Sequence, residues 1–136
     1  MNETLITKFE SFSRCRKRIK DEYGNGAGFL ESMSRQDAAI LNIQRACELV
    51  IDVAHIVIRE HKLGLPSNAR EAFDVLAASA VIDERLATVM KGMVGFRNIA
   101  VHEYQKLDFA IVESVIRDRM TDLDAFIRAI KAYEAS

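Results

Sequence analysis

The longest apolar-rich stretch of the chain lies at residues 34–62 and reads SRQDAAILNIQRACELVIDVAHIVIREHK. Its apolar residues recur at spacings of three and four, which is the period of an α-helix. They also cover more of the helix surface than the single stripe of an ordinary amphipathic helix. The one polar strip that remains consists of Arg45, Glu48, Asp52, His55, Arg59 and Lys62. This stretch therefore predicts a long helix that is central to an all-α domain and is buried on two sides.

Both ends of this long helix carry recognisable signals. Ser34, followed three residues later by Asp37, has the form of a capping box and predicts the helix start. The segment Leu63–Pro66 contains a glycine and the only proline of the chain, so it predicts the end near Lys62. Packing against a second copy of the chain would bury the surplus apolar side. We therefore expect a homodimer.

Similar start and stop signals divide the rest of the chain into helices, and no segment shows the period-two alternation of a strand. Three glycines between residues 24 and 28 predict a loop after the first helix. The predicted helices are Asn2–Tyr23, Ser34–Lys62, Asn68–Ser79, Asp83–Tyr104 and Asp108–Tyr133. In the last helix we expect these residues to face inward: Ile111, Val115, Leu123, Phe126, Ile127 and Ile130. Short connections between four main helices and a short one predict an up-and-down antiparallel bundle, a single domain over residues 1–136.

Composition limits the classes of protein to which the chain can belong. Its 136 residues are 49% hydrophobic and 29% charged, which fits a compact domain rather than a disordered chain. The net charge of -1 means that any nucleic-acid contact must come from a local patch. Cys15 and Cys47 lie far apart within helical patterns, which favours reduced core thiols and a cytoplasmic protein. No export signal and no apolar run of membrane-spanning length is apparent, so we expect no membrane partner.

Reactive side chains are concentrated at residues 97–104, which read RNIAVHEY. Arg97 offers a permanently charged guanidinium that binds phosphate through two hydrogen bonds, and His102 offers an imidazole that exchanges a proton near neutral pH. These groups suit cleavage of RNA, because its 2′-hydroxyl is a built-in nucleophile and no metal is required. DNA lacks that hydroxyl and should resist cleavage.

The spacing of these residues raises a geometric difficulty. At about 100° per residue, His102 lies about 140° around a straight helix from Arg97, whereas Tyr104 lies nearly under Arg97. Either Gly92 and Gly95 distort the helix, or a facing copy of the chain completes the site. The apolar surplus of the long helix favours the second copy. The same side chains also fit a structural role, as a surface charge, a helix-end histidine and a core-closing tyrosine.

Residues 93–104, MVGFRNIAVHEY, resemble the signature of the HEPN domains and in particular of their HepT toxin branch. That signature is an arginine, a polar residue, three further residues, a histidine, any residue and a tyrosine. Its places fall on Arg97, Asn98, His102 and Tyr104 without departure. The predicted layout, with the motif before the last helix, also resembles the family over essentially the whole chain.

The resemblance implies a homodimeric, metal-independent ribonuclease toxin that needs no cofactor and whose site combines both motif copies. It implies that Arg97 holds the scissile phosphate, that Asn98 positions it, and that His102 is the general acid or base. It further implies a partner, an antitoxin of the MNT nucleotidyltransferase type, that transfers AMP to Tyr104. The added bulk and negative charge beside Arg97 would block the substrate. The alternative is a non-catalytic HEPN-like module that docks a nucleotidyltransferase or a small ligand.

A second group of charged residues lies on the first helix. The basic run consists of Arg14, Arg16, Lys17, Arg18 and Lys20. It could contact an RNA backbone, it could bind an acidic antitoxin, or it could be a solvated helix face. Asp52 and His55 have the spacing of half a di-iron motif, but a second such motif is missing. We therefore expect no metal site.

Overall fold

The computed structural model describes residues 2–136, and every regular element within that range is helical. Its α-helices are α1 (Glu3–Tyr23), α2 (Met33–His61), α3 (Ala69–Ala78), α4 (Glu84–His102), α5 (Phe109–Ser114) and α6 (Met120–Ala135). A π-helical turn, Val115–Arg119, joins α5 to α6, and 3-10 turns occupy Phe29–Glu31 and Tyr104–Lys106. The predicted all-α fold class is confirmed.

Contacts between helix ends establish the up-and-down order of the bundle. Asn2, at the start of α1, donates a hydrogen bond to Glu60 near the end of α2. Tyr104, just after α4, donates to Asp37 near the start of α2. α1 and α4 therefore run antiparallel to α2. We call the end of the bundle that holds Asp37 and Tyr104 the motif end, and the opposite end the far end.

The long helix α2 supplies the centre of the core. Its buried apolar residues are Ala39, Ile40, Ile43, Ala46, Cys47, Val50, Ile51, Val53, Ala54, Ile56, Val57 and Ile58. They belong to one hydrophobic cluster with side chains of α1, α3, α4 and α6. Within that cluster the rings of Phe73 and Phe126 pack edge to face, with centroids 5.6 Å apart. The chain itself thus covers most of the apolar surface of α2, and Met33 and Leu41 are the large apolar residues of this helix that remain exposed.

The start of α2 differs from the capping box predicted at Ser34. The N-cap is Ser32, whose hydroxyl accepts a hydrogen bond from the backbone N–H of Arg35 at 3.3 Å. The 3-10 turn Phe29–Glu31 ends directly at Ser32, so the chain is already turned into the helix direction two residues earlier than predicted. Ser34 lies inside the helix.

The glycine-rich loop is held in place by one side chain. Arg35 donates hydrogen bonds to the carbonyl oxygens of Glu22, Tyr23 and Ala27 at 2.7, 2.9 and 2.9 Å. Gly28 has a φ of 74°, a conformation that side-chain-bearing residues seldom adopt. The guanidinium therefore satisfies carbonyls that the end of α1 leaves without helical partners.

The last helix departs from the predicted pattern at one position. Ile111, expected to face inward, is 55% exposed, whereas Val112 is fully buried. In a straight α-helix Met120 would lie about 80° around the axis from Val112. The wider π turn at Val115–Arg119 reduces this angle, so that Met120 is also fully buried. The other residues predicted to face inward in this segment are buried.

None of the helices within residues 2–136 has the length and apolar content that a membrane crossing requires.

Candidate functional site

Arg97, Asn98 and His102 lie at the C-terminal end of α4, which runs without a break and ends two residues earlier than predicted, so that Tyr104 follows in a 3-10 turn. Asp83 caps its start by accepting a hydrogen bond from the backbone N–H of Leu86 at 2.8 Å. The helix continues through Gly92 and Gly95 to His102, and the N–H of Glu103 still bonds the carbonyl of Ile99 at 2.8 Å. Of the two explanations that the sequence left open, distortion of the helix at the two glycines is therefore excluded, and completion of the site by a second copy, the favoured one, stays a prediction.

A regular helix keeps Arg97 and His102 on different faces. Arg97 is half-buried, its Nε donates to Oδ1 of Asn98 at 2.9 Å, and its charge acts on buried Cys47 of α2. Asn98 and His102 are exposed. The guanidinium of Arg97 thus lies beside the Asn98 amide, while His102 of the same chain lies on a different face of the helix.

Tyr104 is tied to α2 through Asp37. Its hydroxyl donates a hydrogen bond to Oδ1 of Asp37, and its side chain remains 40% exposed. Desolvation of the phenol, together with the hydrogen bond and the negative charge of Asp37, raises the pKa of Tyr104 to about 12. The phenol is therefore neutral at physiological pH and accessible from solvent at the same time.

Asp37 is the partner of Tyr104 that sequence analysis missed. Its spacing after Ser34 suggested a helix cap, although it lies 18 residues, or five turns, before His55. It therefore extends the polar strip of α2 toward the motif end. That alignment indicates the face of α2 on which Asp37 lies, but not its contact with Tyr104.

Exposed apolar side chains surround the motif. Met33 and Leu41 flank Asp37 on one face of α2 and are 72% and 42% exposed. Val101, one turn before Tyr104, is 46% exposed. We call Met33, Leu41 and Val101 the apolar rim of the motif.

The predicted basic run does not form one surface. Arg16 makes two hydrogen bonds to Asp124, at 2.7 and 2.8 Å, and Lys17 pairs with Asp21 at 3.0 Å. Lys20 lies beside Arg16 and Lys17 in the same shallow depression. These three residues therefore face away from α2 and toward α6.

The remaining two residues of the run face α2. Arg14 and Arg18 line a groove of about 350 Å³ between α1 and α2, together with Arg45. Neither Arg18 nor Arg45 forms an ion pair with an acid in residues 2–136. We call Arg14, Arg18 and Arg45 the arginine groove.

Groups that could ligate a metal ion meet at the far end. One oxygen or nitrogen atom each from Glu60, His61 and Glu134 lie within 4.8 Å of one another. Each already has a protein partner, because Asn2 donates to Glu60 and His61 bonds Glu134 at 2.6 Å. In the half di-iron motif, Asp52 pairs with Lys8 at 3.0 Å.

Comparisons with known proteins agree with one another over nearly the whole chain. The family model described as "Ribonuclease HepT-like" matches residues 5–130. A curated relative from Shewanella oneidensis, named mRNA nuclease HepT, is 43% identical over 132 residues, which is 97% of this chain and 99% of that protein.

Solved structures give the same result. A tri-AMPylated Shewanella oneidensis HEPN toxin in complex with MNT antitoxin has a TM-score of 0.92 and 43% identity, over 97% of this chain and 99% of the other. A toxin–antitoxin structure with AMP-PNP has a TM-score of 0.91 and 42% identity, over 96% and 99%. Family model, sequence identity and three-dimensional similarity thus coincide, and this chain belongs to the HepT-like ribonuclease family of HEPN toxins.

Proposed function

We propose that this chain is a toxin that cleaves RNA without a metal ion, using Arg97, Asn98 and His102, and that AMP transfer to Tyr104 silences it. The observation that carries the proposal is the placement of all four motif side chains at one solvent-accessible end of a fold shared with HepT toxins. Each of the four has the chemistry that this reaction and its inhibition require.

The cleavage step assigns one task to each residue. The Arg97 guanidinium binds the non-bridging oxygens of the scissile phosphate and stabilises the charge that develops there. The Asn98 amide lies beside it and fixes the phosphate orientation. His102 takes the proton of the attacking 2′-hydroxyl or gives one to the leaving 5′-oxygen. A cyclic phosphate and a free 5′-hydroxyl are the products.

A second copy of the chain completes this arrangement. Because α4 is regular, Arg97 and His102 of one chain cannot both face one phosphate. A two-fold axis at the motif end brings Arg97 of one copy toward His102 of the other. The apolar rim of Met33, Leu41 and Val101 supplies surface for such a contact.

RNA reaches this cleft along a basic path. The arginine groove lies along one side of the polar strip of α2. On the other side of that strip, α2 packs toward α4 and Arg97. Arg14, Arg18 and Arg45 are available for backbone phosphates there. Arg16 and Lys17 of the predicted basic run contribute less to RNA binding, because Asp124 and Asp21 already pair with them. Lys20 lies on their side of α1.

AMP on Tyr104 explains the inhibition physically. The relative that carries AMP groups is a HEPN toxin bound to an MNT antitoxin, and its chain superposes on this one. A phosphodiester on Tyr104, just after the end of the helix that carries Arg97, adds negative charge at the motif end and occupies the space of the substrate phosphate. The proposed partner of this chain is accordingly a nucleotidyltransferase antitoxin.

The test is RNA cleavage by purified protein in excess EDTA. Wild type is expected to cut RNA and to leave DNA of the same sequence intact. Arg97→Ala and His102→Ala are expected to lose at least about a hundredfold in rate, since each removes a transition-state interaction. Arg128→Ala, at an exposed position of α6, and His55→Ala, toward the far end, are matched controls and should retain the wild-type rate.

The result that would overturn the proposal is equally specific. If both motif variants remain folded and cleave as fast as wild type, the motif is not the nuclease site. If EDTA abolishes cleavage, the metal-independent mechanism is wrong.

A further inference from the structure

Asp37 is bonded to the oxygen atom that would receive a nucleotide. It lies in the second turn of α2 and accepts the hydrogen bond of the Tyr104 hydroxyl across 67 positions of sequence. It is the only side-chain partner of that hydroxyl within residues 2–136. Neither the ribonuclease mechanism nor the packing of the core uses this carboxylate.

Tyr104 cannot attack phosphorus efficiently as it stands. With a pKa of about 12, only about one phenol in 10⁵ is ionised at pH 7. A neutral phenol is a poor nucleophile unless a base removes its proton as the new bond forms. The group nearest to that proton is the Asp37 carboxylate.

Access for a partner comes from the opposite side of the phenol. The Tyr104 side chain is 40% exposed, and it follows α4 on the short turn Tyr104–Lys106. The hydrogen bond directs the hydroxyl proton toward α2 and leaves an oxygen lone pair open to solvent. This is the orientation that an incoming α-phosphate requires.

We infer that Asp37 positions Tyr104 and accepts its proton during nucleotide transfer. This inference rests on the proposed AMP transfer to Tyr104. The phenol oxygen forms a bond to the α-phosphorus of ATP, the bond from that phosphorus to the bridging oxygen of the β-phosphate breaks, and pyrophosphate leaves. The phenol proton moves to the carboxylate of Asp37.

The same carboxylate also determines what happens after transfer. The modified oxygen has no proton to donate, so the hydrogen bond to Asp37 is lost. Once Asp37 has released the phenol proton to solvent, the new phosphodiester and the Asp37 carboxylate carry like charges and repel each other. The nucleotide is driven away from α2, and Arg97 on α4 is the cation of the motif that can receive it.

Few other titratable groups lie near the phenol. α2 contributes Asp37. The segment that contains Tyr104 contributes His102 and the ion pair between Glu103 and Lys106 at 3.4 Å. His102 precedes Tyr104 by two residues and makes no hydrogen bond to it. A pH profile of AMP transfer therefore distinguishes Asp37 from its neighbours.

The experiment measures AMP incorporation into the full chain by intact-protein mass spectrometry, with ATP and the Shewanella oneidensis MNT antitoxin as the probe. The variants are Asp37→Asn, the conservative Asp37→Glu, and Asp52→Asn as an acidic control on the same helix. We expect Asp37→Asn to lower the initial rate at pH 7 at least about tenfold. Asp37→Glu should restore part of the rate, and Asp52→Asn should match wild type.

The pH profile separates proton transfer from a structural effect. Wild type should show little dependence between pH 7 and pH 9, because the carboxylate that accepts the Tyr104 hydrogen bond removes the phenol proton as the new bond forms. Asp37→Asn should rise about tenfold per pH unit, since only the phenolate then reacts. RNA cleavage by unmodified Asp37→Asn should equal that of unmodified wild type, which also shows that the variant is folded.

Two outcomes would overturn the inference while the proposed function stands. The first is an Asp37→Asn variant that accepts AMP at the wild-type rate with the wild-type pH profile. The second is loss of transfer that tracks loss of antitoxin binding in size-exclusion chromatography, which assigns Asp37 to docking. Wild type that takes up no AMP would instead contradict the proposed modification itself.

Discussion

Tyr104 combines an exposed ring with a strongly perturbed hydroxyl. Motif residues such as Arg97 and His102 could be found from residue type and spacing, because they lie within eight consecutive positions. Asp37 could not be found in this way. Its contact with Tyr104 arises only when α2 and α4 pack antiparallel, and no local pattern encodes the register of that packing.

The first prediction at this scale concerns the titration of Tyr104. Ultraviolet difference spectra of wild type against Tyr104→Phe should show a tyrosinate that forms at about pH 12. In Asp37→Asn the midpoint should fall toward the ordinary value of about 10, because the hydrogen bond and the negative charge are removed. Tyr133→Phe is the control and should leave the high-pH transition in place.

The same pair links stability to pH. The folded state holds the Tyr104 proton more tightly than the unfolded state does, so it binds more protons between about pH 10 and 12. The stability that the pair contributes is present below pH 10 and is lost as the pH rises toward 12. If the tyrosinate of Tyr104 in wild type instead forms with a midpoint near pH 10, the assigned hydrogen bond is wrong.

Caps and turns decide where the elements begin. Ser32 and Ser34 are two residues apart, and the acidic residue three positions after Ser34 favoured the wrong one. The N-cap is Ser32 because the 3-10 turn at Phe29–Glu31 ends there, and the periodicity of apolar residues does not reveal that turn. The caps at Asn68 and Asp83 were predicted correctly, and the side chain of each accepts a hydrogen bond from the backbone N–H three residues later.

We predict different effects of alanine at the two serines. Ser32→Ala should lower the free energy of unfolding by about 1 kcal/mol, since it leaves the Arg35 N–H without its cap. Ser34→Ala, within the exposed first turn, should change it by less than about 0.5 kcal/mol. Urea denaturation followed by circular dichroism measures both, and equal losses would contradict the assignment of the cap.

The π turn shows a limit of periodicity analysis at the same scale. An uninterrupted 3.6-residue period placed Ile111 in the core, but the wider turn after Ser114 resets the register. Periodicity predicted the inward residues of α6 correctly, because these residues all follow the π turn and lie on one face of a regular helix. A π turn changes the number of residues per turn within a helix, and an analysis that assumes one constant period cannot detect it.

At the scale of the whole molecule, the bundle follows from helix count and short connections. Its assembly does not. The apolar surplus of α2 suggested a dimer, yet the chain buries most of that surplus itself and leaves Leu41 exposed. The separation of Arg97 from His102 on a regular helix is now the stronger reason to expect a second copy.

We predict that the dimer contact lies at the motif end. Light scattering should show a dimer for wild type, and Leu41→Glu or Val101→Glu in the apolar rim should yield monomers. Cleavage of RNA should then fall at least about tenfold, because a single chain presents Arg97 without a facing His102. Leu65→Glu, at a position that is 97% exposed at the far end, should change neither property. A monomeric wild type with full activity would contradict this arrangement.

The buried cysteines make the chain a convenient background for optical labelling. Cys15 and Cys47 are 7% and 3% exposed, and burial raises the pKa of both thiols, that of Cys47 to about 12. Maleimide dyes react with exposed thiolates, so both native cysteines should be silent in the folded protein. Leu65→Cys would then carry the single dye of each chain. Energy transfer between two such dyes would report the separation of the far ends and follow assembly in real time.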